Sequence, residues 1–193
     1  MAENILIQGV NKSFSDLRVL HDFNACIPHG ELTCIMGPSG RGKTTLLHLL
    51  LGISKPDSGS IVGMAGKTLA AVFQEDRLCE QFDAIENVKL ARVEKITSQR
   101  IKEEFDKVGL SDYEKKPVLD LSGGMRRRVA IVRAILANAD IIILDEPMKG
   151  FDTPLKLKVL QYIKEATKGK TVIMVTHDYE EAQILEARIL EMN

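Results

Sequence analysis

Eight consecutive residues constrain this chain more than any other feature: Gly37-Pro38-Ser39-Gly40-Arg41-Gly42-Lys43-Thr44, which reads G-x-x-x-x-G-K-[ST]. Before them, Leu32 to Met36 is short, apolar and bounded by polar residues and glycine, as strands are. After them, Leu46, Leu47, Leu50 and Leu51 recur at helical spacing over Lys43 to Leu51, with Gly52 as a stop. A strand, a glycine-rich turn and a helix therefore succeed one another. Such a turn can aim its backbone N–H groups inward around phosphate oxygens, and the helix beginning near Gly42 adds its positive dipole end. Lys43 supplies a point charge for the outer phosphates. The Thr44 hydroxyl is set to coordinate Mg²⁺, a hard ion that prefers oxygen ligands and usually binds with substrate phosphate. The ligand class implied is a nucleoside triphosphate.

The rest of the chain supplies a setting for that turn. Strands are expected at Ile5 to Val10, Val19 to Ile27, Leu69 to Phe73, Ile141 to Leu144 and Thr171 to Val175, with a turn at Lys55 to Gly59. Helices are expected at Val129 to Ala137 and Leu155 to Ala166. Such alternation predicts an α/β fold with a mostly parallel sheet covered by helices. Between Glu75 and Asp120 the character changes: Ile101, Phe105 and Val108 stand at i, i+4 and i+7 among Lys and Glu, the mark of an amphipathic surface helix.

Ile141 to Leu144 runs directly into Asp145-Glu146-Pro147. Ligand sites in open parallel sheets lie at the carboxyl ends of strands, so two carboxylates emerge where phosphate chemistry is expected. Asp145 is the natural partner of Mg²⁺. Glu146 is expected to face the other way, as adjacent strand residues do, and to polarise a water for in-line attack.

Bulk properties exclude other classes. At 193 residues, 45% hydrophobic and 27% charged, the chain has the composition of one soluble globular domain with a sizeable core. Lys plus Arg total 26 against 27 Asp plus Glu, so no general attraction for nucleic acid exists and any anion is held locally. Arg126-Arg127-Arg128 spreads around a helix without other basic runs, and is read as surface and lobe-packing residues rather than a nucleic-acid contact. No stretch approaches the roughly 20 apolar residues of a membrane-crossing helix, and Met1-Ala2-Glu3-Asn4 lacks a signal-peptide profile. A cytoplasmic location is expected. Cys26, Cys34 and Cys79 suit ordinary thiols, with Cys34 a small hydrophobe in a strand.

Leu121-Ser122-Gly123-Gly124-Met125 narrows the reading. Physically it offers a hydroxyl and close-approaching N–H groups at a helix start, a second anion-binding end. The sequence resembles the signature of ABC (ATP-binding cassette) ATPases, and with it the whole chain resembles the ATP-binding subunit of an ABC transporter. That resemblance implies a P-loop NTPase core with an N-terminal antiparallel β subdomain and an inserted helical subdomain. One domain would span 1–193: core at 1–74 and 136–193, helical lobe at 75–135. It implies that ATP and Mg²⁺ are bound and that each ATP lies between Gly37 to Thr45 of one subunit and Ser122, Gly123, Gly124 and Met125 of a second copy. Gln74 looks like the glutamine that senses Mg²⁺ and the attacking water, Asp152 like the residue at the dimer seam, and His177 like the switch histidine on the γ-phosphate. Phe14 fits the aromatic residue that stacks on adenine. Lys43, Gln74, Glu146 and His177 are thus the expected catalytic set, with Thr44, Gln74 and Asp145 around the metal.

Departures from the family pattern are Met125, where Gln is more usual, and Met148-Lys149-Gly150-Phe151 before Asp152. The resemblance further implies a transmembrane permease partner, an extracytoplasmic solute-binding protein in the same system, and attachment to the inner face of the cell membrane. Val72 to Leu78 and the compact lobe most resemble ATPases of nitrate, sulfonate and taurine importers. An exporter or lipoprotein-release ATPase, or a soluble ABC protein moving no solute, stays open as an alternative. The chain stops soon after His177, so the C-terminal regulatory domain of some sugar-importer ATPases is not expected.

Overall fold

The computed structural model describes residues 3–91, 95–113 and 115–192. In chain order its elements are β1 (Ile5–Phe14), β2 (Leu17–Ile27), β3 (Leu32–Met36), α1 (Lys43–Leu50), β4 (Ser58–Val62), β5 (Leu69–Val72), α2 (Ala84–Leu90), α3 (Ser98–Lys107), a 3₁₀ turn at Val118–Asp120, α4 (Gly123–Leu136), β6 (Ile141–Asp145), α5 (Thr153–Ala166), β7 (Thr171–Val175), α6 (Tyr179–Ile184) and β8 (Arg188–Glu191). Every predicted strand and helix is present, although α4 begins at Gly123 rather than Val129 and β1 continues past Val10 to Phe14. β4, β8 and α6 were not anticipated.

An unbroken apolar strand needs cover on both faces, and β6 has it. Five parallel strands form one sheet in the order β5-β6-β7-β3-β8. Successive side chains alternate between two apolar layers. Ile142, Leu144, Val172, Met174, Cys34 and Met36 face the layer that contains α4 and α5. Ile141, Ile143, Ile173, Val175 and Ile35 face the layer built with α1 and the N-terminal strands. Cys34 is buried as expected, and burial pushes its thiol up to about 12, with the Glu181 charge adding to the shift.

The second sheet is antiparallel, ordered β2-β1-β4. Its inner positions Ile5, Ile7, Val10, Leu20 and Ile27 close over α1. The fold class expected from the sequence, α/β with a parallel core and an N-terminal antiparallel sheet, is therefore observed. Among the described residues no helix is long and apolar enough to cross a membrane.

The inserted lobe is built as its periodicity predicts. Ile101, Phe105 and Val108 on and just after α3 are all buried. Thr97 caps α3 through Arg100 N, and Asp83 with Glu86 forms a reciprocal capping box on α2. α4 starts at the signature and packs on both α2 and β5, so it ties lobe to sheet. Residues 92–94 and 114 of the predicted lobe lie outside the described residues.

Of the run expected to serve as surface and lobe-packing residues, Arg127 and Arg128 pack: both are buried. Arg127 donates to the carbonyl oxygens of Phe73 and Gln74, and its Nε lies 3.1 Å from Asp76 Oδ1. Arg128 donates to the carbonyls of Val108 and Gly109, 3.1 and 2.6 Å away, where α3 ends. The reason is local supply. A helix end and an irregular segment both present carbonyls without backbone partners, and a guanidinium satisfies several at once.

Candidate active site

All five parallel strands point the same way, and β3, β5, β6 and β7 deliver their carboxyl ends to one edge. There Val19, Ser39, Gly40, Gly42, Lys43, Thr44, Thr45, Gln74, Glu146 and Val175 line a cavity of about 270 Å³. A larger hollow of about 430 Å³ lies at the opposite edge, around Gly30 and Gly169, away from these groups. Chemistry rather than size selects the first.

The Gly37 to Thr44 turn is tight against the end of the chain. Gly37 has φ of 147°, and a Cβ there would stand 2.3 Å from the Met192 carbonyl oxygen. Lys43, the first residue of α1, is buried and donates to the carbonyls of Gly37 and Pro38 at 2.7 and 2.8 Å. Its ammonium is thus held inside the turn rather than in solvent. Pro38, Ser39, Gly40, Arg41 and Thr44 are exposed.

At the end of β6 the two carboxylates separate, though not by strand alternation. β6 ends at Asp145, and Glu146 adopts a left-handed backbone with φ of 47° while its N–H bonds the Val175 carbonyl at 3.0 Å. That conformation is strained for a non-glycine residue, and such strain concentrates at functional sites. Asp145 is buried, and Glu146 lines the cavity. Burial raises the Asp145 carboxyl above its ordinary range, the Glu146 charge raises it further, and His48, Arg127 and Lys43 oppose the shift. Asp145 Oδ1 is buried with no hydrogen-bond partner among the described residues.

The remaining expected residues fall into two groups. His177 follows β7, is exposed, and holds Nδ1 3.6 Å from Glu146 Oε1. Lys149 Nζ is 3.6 Å from Glu146 Oε2, a neighbour the sequence reading did not assign to the site. Val19 and Val175 were also missed as lining residues, since a single sequence offers no cue that β2 crosses over α1's first turn. Phe14 closes β1, is half-exposed, and has Lys12 Nζ 5.4 Å from its ring centre. It is not among the lining residues of the cavity.

Ser122, Gly123, Gly124 and Met125 stand at the other group's centre. Ser122 caps α4 by accepting from Met125 N at 3.3 Å, and Ser122 and Gly123 are exposed. Asp152 caps α5, accepting from Leu155 N at 2.9 Å, and is also exposed. None of these five lines the phosphate-loop cavity. Phe151 sits close to Gly124, so the signature and the segment before Asp152 share one surface of the same subunit.

For Mg²⁺ the donor set fits. Among the described residues no cluster of three His, Cys, Asp or Glu side chains forms an all-protein cage. An orphaned Asp145 oxygen, an exposed Thr44 hydroxyl and the Gln74 amide on the cavity wall are hard donors suited to an ion that keeps water and substrate oxygens in its shell.

A phosphate-cradling turn and an acidic strand end at the carboxyl edge of a parallel sheet define a P-loop nucleoside triphosphatase. Comparison with known proteins narrows this. The sequence model of the ABC transporter family matches residues 20–149. The aliphatic sulfonates import ATP-binding protein SsuB 1 of Rhodococcus jostii is 38% identical over 94% of this chain and 76% of its own length. The taurine import protein TauB of Pelagibacter ubique is 34% identical, over 98% and 78%. The spermidine/putrescine import protein PotA of Fusobacterium nucleatum is 36% identical, over 99% of this chain but 55% of its own. Among solved structures, a bacterial ABC transporter cassette in dimeric form superposes with a TM-score of 0.85 at 29% identity, covering 97% of this chain and 94% of that one. The same cassette bound to ADP and Pi after hydrolysis also gives 0.85, at 28% identity, over 98% and 94%. This chain belongs to the ABC transporter family and is an ABC ATPase.

Proposed function

We propose that the chain works as a head-to-tail pair beneath a membrane-spanning permease, closing around two ATP molecules and reopening after hydrolysis. The observation that carries this reading is the separation just described: the Ser122 loop offers N–H groups and a hydroxyl but lies off the cavity lined by Lys43. A second copy can present its own Ser122 to that cavity, which makes the pair symmetric with two equivalent sites. The dimeric form of the solved cassette supports a pair.

Within a site, the backbone of Gly37 to Thr45 wraps the phosphates and Lys43 neutralises their outer oxygens. Phe14 stacks on adenine. Thr44, Asp145 and Gln74 would hold Mg²⁺, which would supply positive charge to offset that developing on the phosphates. Glu146 accepts a hydrogen bond from the attacking water and so aims its oxygen at the γ-phosphorus, as the bond to the ADP oxygen breaks. His177, beside Glu146, contacts the γ-phosphate and marks its presence. Asp152 meets its counterpart at the seam. Met125 changes a side chain but leaves the Ser122 hydroxyl and the glycine backbone intact.

The lobe at 75–135 converts closure into work. Arg127 clamps the segment that carries Gln74 to α4, so a change at Gln74 moves the lobe against the permease. The chain would thus sit peripherally on the inner membrane face. Matches to sulfonate and taurine import proteins favour import of a sulfonate-like anion, with a solute-binding protein outside the membrane; the PotA match carries a polyamine importer as the second reading. Deleting the gene and comparing growth on taurine or alkanesulfonate as sole sulfur source separates the two: loss of that growth supports the first, and loss of spermidine uptake alone supports the second.

The catalytic assignment is tested by Glu146→Gln. ATP binding is expected to persist while turnover falls by about 100-fold or more, since positioning and electrostatics supply most of the barrier lowering in phosphoryl transfer. A steady-state rate within about threefold of the parent contradicts Glu146 as the water-orienting base.

A further inference from the structure

Lys156 does not belong to the expected catalytic set, yet it is the hub of a compact polar network. It lies on α5, one helical turn after the Asp152 cap, and its side chain is largely buried. Its ammonium is 2.5 Å from Asp178 Oδ2 and 3.6 Å from Glu181 Oε1. Asp178 is the residue next to His177. Its other carboxylate oxygen accepts from Glu180 N at 2.9 Å, which caps α6.

On the far side of His177 stands Thr176, which is buried. Its hydroxyl donates to Glu181 Oε2 at 2.6 Å and accepts from Asp178 N at 3.1 Å. His177 is therefore held between two residues that both bond into one network, while its imidazole stays exposed beside Glu146. The electrostatics agree. The Lys156 hydrogen bond holds the Asp178 carboxyl below its ordinary range, and the same bond raises Lys156. Burial raises Glu181, against the hydrogen bond from Thr176 and the charge of Lys156.

We propose that Lys156 is a positioning residue for His177, acting through Asp178 and Glu181 to lock the histidine's loop to the helix that Asp152 caps. The proposal rests on the reading of His177 as a contact to the γ-phosphate and of Asp152 as a seam residue. A short span of α5 then joins the seam to the histidine, so closing of the pair is felt where hydrolysis is gated. The network would do this without touching ATP. Breaking it should alter turnover and leave binding alone, because Lys43 and its turn share none of these bonds.

The test is steady-state ATP hydrolysis by the full chain carrying Lys156→Met, Lys156→Arg, Asp178→Asn, His177→Ala, and Lys156→Met combined with His177→Ala. Lys156→Met should lower kcat about tenfold with KM for ATP within about twofold, and Lys156→Arg should restore most of it, since arginine keeps the charge and the donors. Asp178→Asn keeps a good helix cap while removing the ion pair, so it should reproduce the Lys156→Met loss even if that variant folds poorly. In the His177→Ala background, Lys156→Met should cause little additional loss. The proposal is overturned if both Lys156→Met and Asp178→Asn stay within about twofold of the parent kcat, if arginine fails to rescue, or if the two losses multiply fully. If His177→Ala itself keeps the parent rate, the underlying reading of His177 fails, and that result is distinct from each of the others.

Discussion

Gly37 and Gly40 are two letters of one motif, but they are glycine for different reasons. At Gly37 an added Cβ would stand 2.3 Å from the Met192 carbonyl oxygen, a rigid backbone atom, with φ already at 147°. At Gly40 the φ of 81° is also unfavourable for other residues, yet nothing lies within 4 Å of the new atom. Gly37→Ala should therefore cost about 2–4 kcal/mol of stability and Gly40→Ala about 1 kcal/mol, read by urea unfolding. Equal costs would mean that the terminal segment yields freely to the P-loop. The motif's letters were legible from spacing, but the contact with Met192 was not, because it joins residues more than 150 positions apart. Glu146 teaches the same lesson. Its identity was readable from the acidic pair at a strand end, whereas its left-handed backbone and its neighbours His177 and Lys149 follow from how β6 and β7 end side by side.

Elements are joined in this protein by polar side chains at their ends, some buried and some exposed. Arg127 satisfies two carbonyls of the segment after β5 and lies against Asp76, whose carboxyl is raised by burial although Arg127, Arg126 and Arg133 pull it the other way. Arg127→Met leaves those part-buried groups without this partner, and a loss of about 2 kcal/mol is expected by denaturant titration, against about 0.5 kcal/mol or less for the less buried Arg126→Ala. At the other edge, Asp140 just before β6 accepts from Thr68 N and Thr68 Oγ1, both at 2.8 Å, just before β5. The backbone bond first, then the hydroxyl, holds its carboxyl below the ordinary 3.8. A depressed folded pKa means that its stabilisation is present above the ordinary value and is lost as pH falls through the folded one. Asp140→Ala should thus lower the urea midpoint at neutral pH, and the gap from the parent should close as pH falls below the ordinary carboxylate range. A gap that is constant with pH would assign the effect to something other than this carboxylate. Strand and helix positions were readable because apolar period dominates them; which residues of the Arg126 to Arg128 run would pack was not, because a charge run in sequence does not reveal the carbonyls that meet it.

For the whole molecule, one chain carries two helix starts, at Lys43 and at Gly123, that do not share a cavity. Lys43 and its turn sit at the carboxyl edge of the parallel sheet, while Ser122 starts α4 on a surface shared with Phe151. The parallel core was foreseeable from alternation and the helical lobe from the change of pattern at Glu75, whereas the antiparallel sheet was implied only by the family resemblance. The proposed arrangement of two copies rests on family resemblance, since no residue pattern within one chain encodes a partner's position. The claim on which the account turns is that ATP is completed by a second copy. Sedimentation velocity of the Glu146→Gln chain with saturating Mg-ATP tests it directly. A shift from monomer to dimer that requires ATP, and that is lost when Ser122 is replaced by a bulky residue, is the predicted result. A chain that binds ATP yet stays monomeric, both alone and with its membrane subunits, would contradict it.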